Sequence, residues 1–333
     1  MKRKKKYFVY LFAFACMCLH AQDLHLSQFY ANPVYLNPAF TGANVCSRVV
    51  GTYRNQWPSI GKGYVSYLFS YDHSLSQVNS GIGLIVTNDV AGSGSLRTTS
   101  VLASYAYQVT IAKSVGIRFG LQGGMGSKSI NFNNLLFGDQ IARGGNVATV
   151  ETAPNSVTYF DSNAGLLVYT KKYWLGMSLF HLNKPNEALV GADATLPMKF
   201  SMHGGAKFLL GNGDENPDET KRVYFTPAFN YMHQRKFDQL DIGFYINRSV
   251  FNIGLWYRGI PVFKAYKPGY ANNDAIAFLI GITKDKFNFG YSYDVTISKL
   301  AGNTNGAHEI TISYQLCKPK KKKPKMVLPC PRF

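Results

Sequence analysis

Leu240-Asp241-Ile242-Gly243-Phe244-Tyr245-Ile246 opens a stretch that runs to Leu316 and repeats one pattern. Apolar side chains fall on every second position: Leu240 to Ile246, Phe251 to Tyr257, Ile276 to Ile282, Phe287 to Tyr293 and Ile310 to Leu316. Between them lie Asp241, Gly243, Asn252, Gly254, Arg258, Asn288, Gly290, Asp294, Glu309 and Thr311. A period of two marks extended strands with one apolar face. A soluble sandwich also alternates, but here the polar face is rich in glycine, amide and carboxylate, and the apolar face in Phe and Tyr. That division suits lipid outside and a narrow wet lumen inside. The fold class implied is all-β, a transmembrane antiparallel β-barrel.

The same period lays strands along the chain at 45–57, 63–74, 79–90, 94–111, 114–130, 157–171, 172–182, 196–210, 221–234, 237–248, 249–260, 274–284, 286–297 and 307–317, about fourteen in all. An even count returns the last strand to the side where the first began. The connections on the opposite side include the long segments 131–156, 183–195, 261–273 and 298–306. Those on the starting side include the tight turns Ala112-Lys113, Lys171-Lys172, Ser249 and Asp285. In outer-membrane barrels the long loops face outward, so the sequence reads as an outer-membrane protein with both termini periplasmic. The acidic segment from Gly211 to Thr220 is an unusually long turn for that side. Its Asn212-Gly213-Asp214-Glu215-Asn216 offers oxygen ligands without the spacing of a calcium-binding hand, so a solvated turn is expected.

Residues 1–21 read as a secretory signal peptide. Met1 to Lys6 carries five basic residues, Tyr7 to Cys18 is an apolar run too short to span a bilayer, and Ala21 precedes a cleavage point at Gln22. Ala15-Cys16 offers the rival reading of a lipoprotein signal. The formal charge of +18 includes five charges from the leader and seven from Lys318 to Arg332, leaving only +6 for residues 22–317. The basic balance therefore belongs to the ends, and no nucleic-acid partner is expected. The chain divides into a leader (1–21), an N-terminal segment or plug (22–44), the barrel (45–317) and a basic tail (318–333).

Cys46, Cys317 and Cys330 remain after cleavage, in an oxidising compartment. The first and last strands of a closed barrel are neighbours, so Cys46 and Cys317 are placed for a disulfide across the seam. Cys317 with Cys330 is the rival pairing, and three free thiols the third reading. A search for chemistry finds no catalytic, cofactor or metal constellation. Asp72-His73-Ser74 alternates faces and forms no triad. His181 with Asn183, and His308 with Asp294, are pairs that could meet in the lumen or at its rim, without a nucleophile. Gly120-Leu121-Gln122-Gly123-Gly124 lies inside an alternating strand and reads as room for a crowded lumen, which Tyr245, Trp256 and Arg258 help to fill.

Two ends of the chain carry a resemblance. Ser27-Gln28-Phe29-Tyr30-Ala31-Asn32-Pro33-Val34-Tyr35-Leu36-Asn37-Pro38-Ala39-Phe40-Thr41-Gly42 is followed by Tyr53-Arg54-Asn55-Gln56-Trp57-Pro58; Leu255-Trp256-Tyr257-Arg258, Gly290-Tyr291-Ser292-Tyr293-Asp294-Val295-Thr296 and Gly306-Ala307-His308-Glu309-Ile310 come later. This resembles the PorP/SprF family of Bacteroidetes outer-membrane proteins over nearly the whole mature chain. The resemblance implies a non-catalytic barrel working with type IX secretion and gliding motility, one that helps particular secreted proteins, such as large surface adhesins, to reach or stay at the cell surface. The alternative is a diffusion channel or small-solute transporter.

Ser27 to Gly42 is too polar for a lipid-facing strand and is placed in the periplasmic mouth or the lumen, either as a pore-occluding plug or as a docking surface. Ser27, Gln28, Asn32, Pro33, Asn37 and Pro38 are its candidate docking residues. Asn32 and Asn37 precede proline and are expected outside the helical region. The lysine-rich Lys318 to Lys325 is expected to be solvated and drawn to anionic lipid or peptidoglycan. Leu328, Cys330 and Phe333 are candidate docking residues for a periplasmic secretion or motility component.

Overall fold

In a computed structural model, residues 23–316 are described except for 61–62, 93–94, 113, 133–134, 146, 151–155, 190–192, 212–221, 261–263, 268–269 and 299–300. The leader, most of the acidic turn after Gly211, Lys113, Cys317 and the tail thus lie outside the described residues. So do the candidate docking residues Leu328, Cys330 and Phe333.

Fourteen antiparallel strands close on themselves. They are β1 (Ser47–Gln56), β2 (Tyr64–Leu75), β3 (Ser80–Ala91), β4 (Leu96–Ala112), β5 (Val115–Ser129), β6 (Ser156–Tyr169), β7 (Tyr173–Phe180), β8 (Lys199–Ala206, resuming as Phe208–Leu210), β9 (Val223–Gln234), β10 (Phe237–Arg248), β11 (Phe251–Gly259), β12 (Asn273–Lys284), β13 (Phe287–Thr296) and β14 (Ala307–Leu316). The two parts of β8 both pair with β9 and form one wall strand. Bounds differ from the sequence reading by a few residues. The seam is a full ladder, from Ser47 opposite Leu316 to Gln56 opposite Ala307. We call the end with Ser47 and Leu316 the terminal end, and the other the loop end.

The two faces separate as the period of two requires. Ile253, Phe278, Phe289 and Ile312 are about half exposed, whereas Tyr245, Trp256, Arg258 and Glu309 are buried. Water cannot be the solvent of so apolar a belt, and the inward-facing side is the polar one. No helix among the described residues is long and apolar enough to cross a membrane.

Ile280 sits in the middle of β12 and points outward. Ile280→Arg should lower the stability of the folded barrel in phospholipid vesicles by about 2–4 kcal/mol in a denaturant titration, the cost of a cation at the bilayer midplane. Unchanged stability would mean that this face does not meet lipid.

Candidate functional site: a strap through the lumen

The segment before β1 does not stay at the mouth from which β1 starts. It runs the length of the barrel. Asp23 contacts His181 and Lys199 at the loop end, while Gly42 donates its backbone N–H to Asp72 near the terminal end at 3.0 Å. Between them Leu26 to Thr41 are buried, Tyr35 excepted. The strap therefore doubles back through its own barrel, and its first described residue lies at the end opposite Leu316. The even strand count correctly puts Ser47 and Leu316 together. It does not place the N-terminal end beside them, because that argument stops where the strand ladder begins.

Three kinds of contact seat the strap. In the loop-end half, Glu309 accepts the backbone N–H groups of Ser27 and Gln28 at 2.8 and 2.9 Å. Arg54 donates to Glu309, Asp294 and the Ser27 hydroxyl, each within 2.9 Å. Arg258 donates to Asp241, Asp294 and the same hydroxyl at 2.8, 3.1 and 2.9 Å. Ser27 in turn donates to Asp294 at 2.5 Å. Buried charges persist only when paired and hydrogen-bonded, and here the strap supplies Glu309 with two backbone donors and Asp294 with a hydroxyl, while Asp241 is held by Arg258 and Gln239 of the wall.

Mid-lumen, packing takes over. Phe29 and Tyr30 pack edge-on or tilted against Trp256, Trp174 and Tyr245 with ring centroids 4.8 to 6.4 Å apart, and the Tyr30 hydroxyl donates to the carbonyls of Gly204 and Phe229. Asn37 donates to the carbonyls of Leu166 and Met177 and caps the turn that follows by accepting from Ala39. Each Asn-Pro pair starts a helical turn, Pro33–Leu36 and Pro38–Phe40, with proline in the first positions, where its missing N–H costs nothing. Asn32 and Asn37 themselves lie outside the helical region, as the following prolines demand. Toward the terminal end, Arg118 donates to the carbonyls of Ala39 and Thr41 at 2.8 and 2.5 Å.

The wall has been thinned where the strap passes. A Cβ on Gly120 would lie 2.2 Å from the Ala39 nitrogen, and one on Gly165 would lie 1.9 Å from the Asn37 side-chain oxygen. Gly120 thus serves the crowded lumen expected of it. Gly123 of the same run faces outward, toward Phe160.

The candidate docking residues Ser27, Gln28, Asn32, Pro33, Asn37 and Pro38 are all buried. They hold the strap to the wall and offer no surface to a partner in this arrangement. The histidine pairs do not form. His181 meets Asp161 and Asp23, while Asn183 bonds to Ser162 and Phe160. His308 points outward beside Tyr291 and Tyr293, with Asp294 turned inward. Among the described residues no group of three or more His, Cys, Asp and Glu is placed to hold a metal. Cys46 is disulfide-bonded, and its partner lies outside the described residues. Sequence reasoning missed the charge network, although the tight turn after Arg248 fixes the register that pairs Asp241 with Arg258.

Two of the cavities among the described residues lie at the loop end. One of about 370 Å³ is bounded by Asp23, His25, Trp57, Phe237, Arg258 and Asp274. The other, about 110 Å³, lies between Tyr35 of the strap and a wall that includes Asp89, Tyr159 and Lys199.

Removing one partner of a buried, hydrogen-bonded charge cluster costs about 3–5 kcal/mol. Glu309→Ala should therefore raise amide exchange at Ser27 and Gln28 by at least about 100-fold, read by mass spectrometry, with strand amides little changed. Protection at wild-type level would remove the network from the account. The strap's loop-end anchor should also depend on pH. Burial opposes the charge on His181, but Asp23 and Asp161 outweigh it and raise its pKa from 6.5 to about 9. Burial likewise opposes ionisation of Asp23, and Lys199 and His181 hold it well below the usual carboxylate range. The histidine contribution is complete below pH 6.5 and is lost as pH rises through about 9; the carboxylate contribution is present above pH 3.8 and lost in stronger acid. An NMR titration in micelles should place the His181 midpoint near 9, and Asp23→Asn should bring it down. A midpoint near 6.5 in the wild type would rule out the contact.

Solved barrels of similar architecture include the outer-membrane protein Omp33 of Acinetobacter baumannii, 7% identical over 83% of this chain and 100% of that one, with a TM-score of 0.42. The Pseudomonas putida toluene transporter TodX is 11% identical over 85% and 92% of the two chains, with a TM-score of 0.46. What those barrels pass is a property of those proteins. No curated protein sequence matches. The profile described as type IX secretion system membrane protein PorP/SprF matches residues 19–314. The chain, a strapped fourteen-strand barrel of the outer-membrane kind, belongs to the PorP/SprF family of type IX secretion system membrane proteins.

Proposed function

We propose that this protein is a closed outer-membrane scaffold of type IX secretion and gliding, which docks or retains particular secreted surface proteins instead of conducting solutes. The observation that carries the reading is the occupied lumen: Arg54 and Arg258 on Ser27, Trp174 and Tyr245 on Tyr30, and Arg118 on Ala39 fill it at successive depths. A barrel of this width is a pore only if its interior is free. With the lumen closed, what remains for partners is the two ends. In this reading the loop end faces outward and meets adhesin-like clients. The terminal end faces the periplasm, where the sequence continues into the tail and meets secretion or motility components or peptidoglycan.

Orientation is tested by placing cysteines at Gly144 and Ala301, both exposed at the loop end, and at Ser249, exposed at the terminal end. On intact cells an impermeant reagent should label the first two and spare the third; the reverse pattern would invert the topology. In planar bilayers the purified protein should show little steady conductance, and deletion of Asp23–Ala43 should open stable channels. Large channels in the wild type would favour the diffusion-channel reading. Deleting Lys318–Phe333 should leave a heat-modifiable barrel in the outer membrane but abolish surface display of a secreted client. Normal display after that deletion would remove the tail from docking.

A further inference from the structure

The rim of the barrel is not evenly charged. At the terminal end, the arc from β6 to β13 carries, among the described residues, Lys171, Lys172, Lys207, Arg222, Arg248, Lys284 and Lys286 against one carboxylate, Asp285; the sequence adds Asp214, Glu215, Asp218, Glu219 and Lys221 between β8 and β9, outside the described residues. Five of these seven cations are exposed; Arg222 and Lys207 are half-buried, Lys207 over the ring of Tyr224 at 4.1 Å. The remaining arc, from β1 to β5, offers the neutral turn Ser76-Gln77-Val78-Asn79 and, between β4 and β5, the single cation Lys113, which lies outside the described residues. The loop end mixes signs instead, with Asp139 beside Arg143 and Asp238 beside Lys264.

A second observation says what the cations face. Arg222 apart, each group of them sits next to an outward-pointing ring on the lipid side of a strand end. Lys172 precedes Tyr173, Lys207 precedes Phe208, Arg248 pairs across the ladder with Phe251, and Lys284 and Lys286 flank Phe287 in register and in sequence. Those four rings are 40 to 58% exposed, and Tyr173 packs edge-on against Phe208. Aromatic side chains at a membrane rim mark the level where hydrocarbon gives way to headgroups. Lys207 lies on the loop-end side of Phe208, but each of the other cations with a ring is level with it or beyond it, where a long flexible stem reaches the phosphates at that level. Peptidoglycan, the other polyanion a periplasmic end could meet, gives no reason for exposed rings beside the charges.

We infer that this arc is a collar for anionic phospholipid headgroups of the leaflet at the terminal end. It is one-sided and centred on the turns joining β6 to β7, β10 to β11 and β12 to β13. The lipid it selects is a phosphodiester with net negative charge, the rings taking the upper acyl chain and the cations the phosphate. The charged arc runs up to β14, from which the sequence continues into six further lysines between Lys318 and Lys325.

The test uses the full mature chain in mild detergent, titrated with phosphatidylglycerol or phosphatidylcholine and read by native mass spectrometry. The wild type should retain phosphatidylglycerol at least about tenfold over phosphatidylcholine, since each cation near an anionic surface contributes roughly fivefold. The combined variant K171Q/K172Q/R248Q/K284Q/K286Q should lose the preference, and the matching set with K171R, K172R, R248K, K284R and K286R should keep it. Heat-modifiable migration on a gel establishes that each variant is folded; if the glutamine set fails to fold, K171Q/K172Q and K284Q/K286Q are tested separately, and each should lower the preference. Equal retention of the two lipids by the wild type, or a preference that survives loss of the charges, overturns the collar. Charge-dependent sedimentation with purified peptidoglycan sacculi, without lipid preference, would reassign the arc to the cell wall.

Discussion

Everything inside this barrel depends on one carboxylate arrangement. Glu309 takes two consecutive backbone N–H groups of the strap, and Arg54 ties it to Asp294 and to the Ser27 hydroxyl. A lumen walled with carboxylates and arginines is costly unless each charge is paired or wet. The strap resolves that cost by bringing peptide donors and a hydroxyl to where the wall has acceptors to spare. The aromatic contacts deeper in the lumen gain from this register, because placing Ser27 fixes where Phe29 and Tyr30 fall. They bury large area only once the chain is held at the right depth.

Much of the wall was legible. A period of two is a geometric property of extended chain, and it separated Ile253 and Phe278 from Trp256 and Arg258 without a structure. Tight turns and long loops sorted the two ends for the same reason, since antiparallel neighbours need only a short connection. The path of the strap was not legible. Residues 23–43 have no period, and the two Asn-Pro pairs announce turns without saying where the turns are placed. Their hydrogen bonds go to wall positions far away in sequence: Asn37 reaches Leu166 and Met177, and Ser27 reaches Asp294 and Glu309.

A signal was nonetheless present in the inward positions. Gly120 and Gly165 give up side chains where a neighbouring strand alone would not require it, and their missing atoms trace the strap. Asp241 opposite Arg258, and Arg54 opposite Glu309, are cross-strand charge pairs on the lumen side. Opposite charges facing inward at one level are a sign that something polar is held there. His308 and Asp294 do lie on neighbouring strands, but His308 stands opposite Tyr293 and Asp294 opposite Ala307, so their parities differ and the wall lies between them.

The seam between β1 and β14 has a further consequence. Arg54 and Thr52 belong to β1, Glu309 and Thr311 to β14, and the strap's Ser27, Gln28 and Asn32 bond to this group from inside. The ladder that closes the cylinder and the segment that closes its bore are thus fastened at the same place. Parting the two strands would loosen the strap, and drawing out the strap would strip the seam of its inner brace. Opening the wall sideways and opening the bore along its axis would break the same set of contacts.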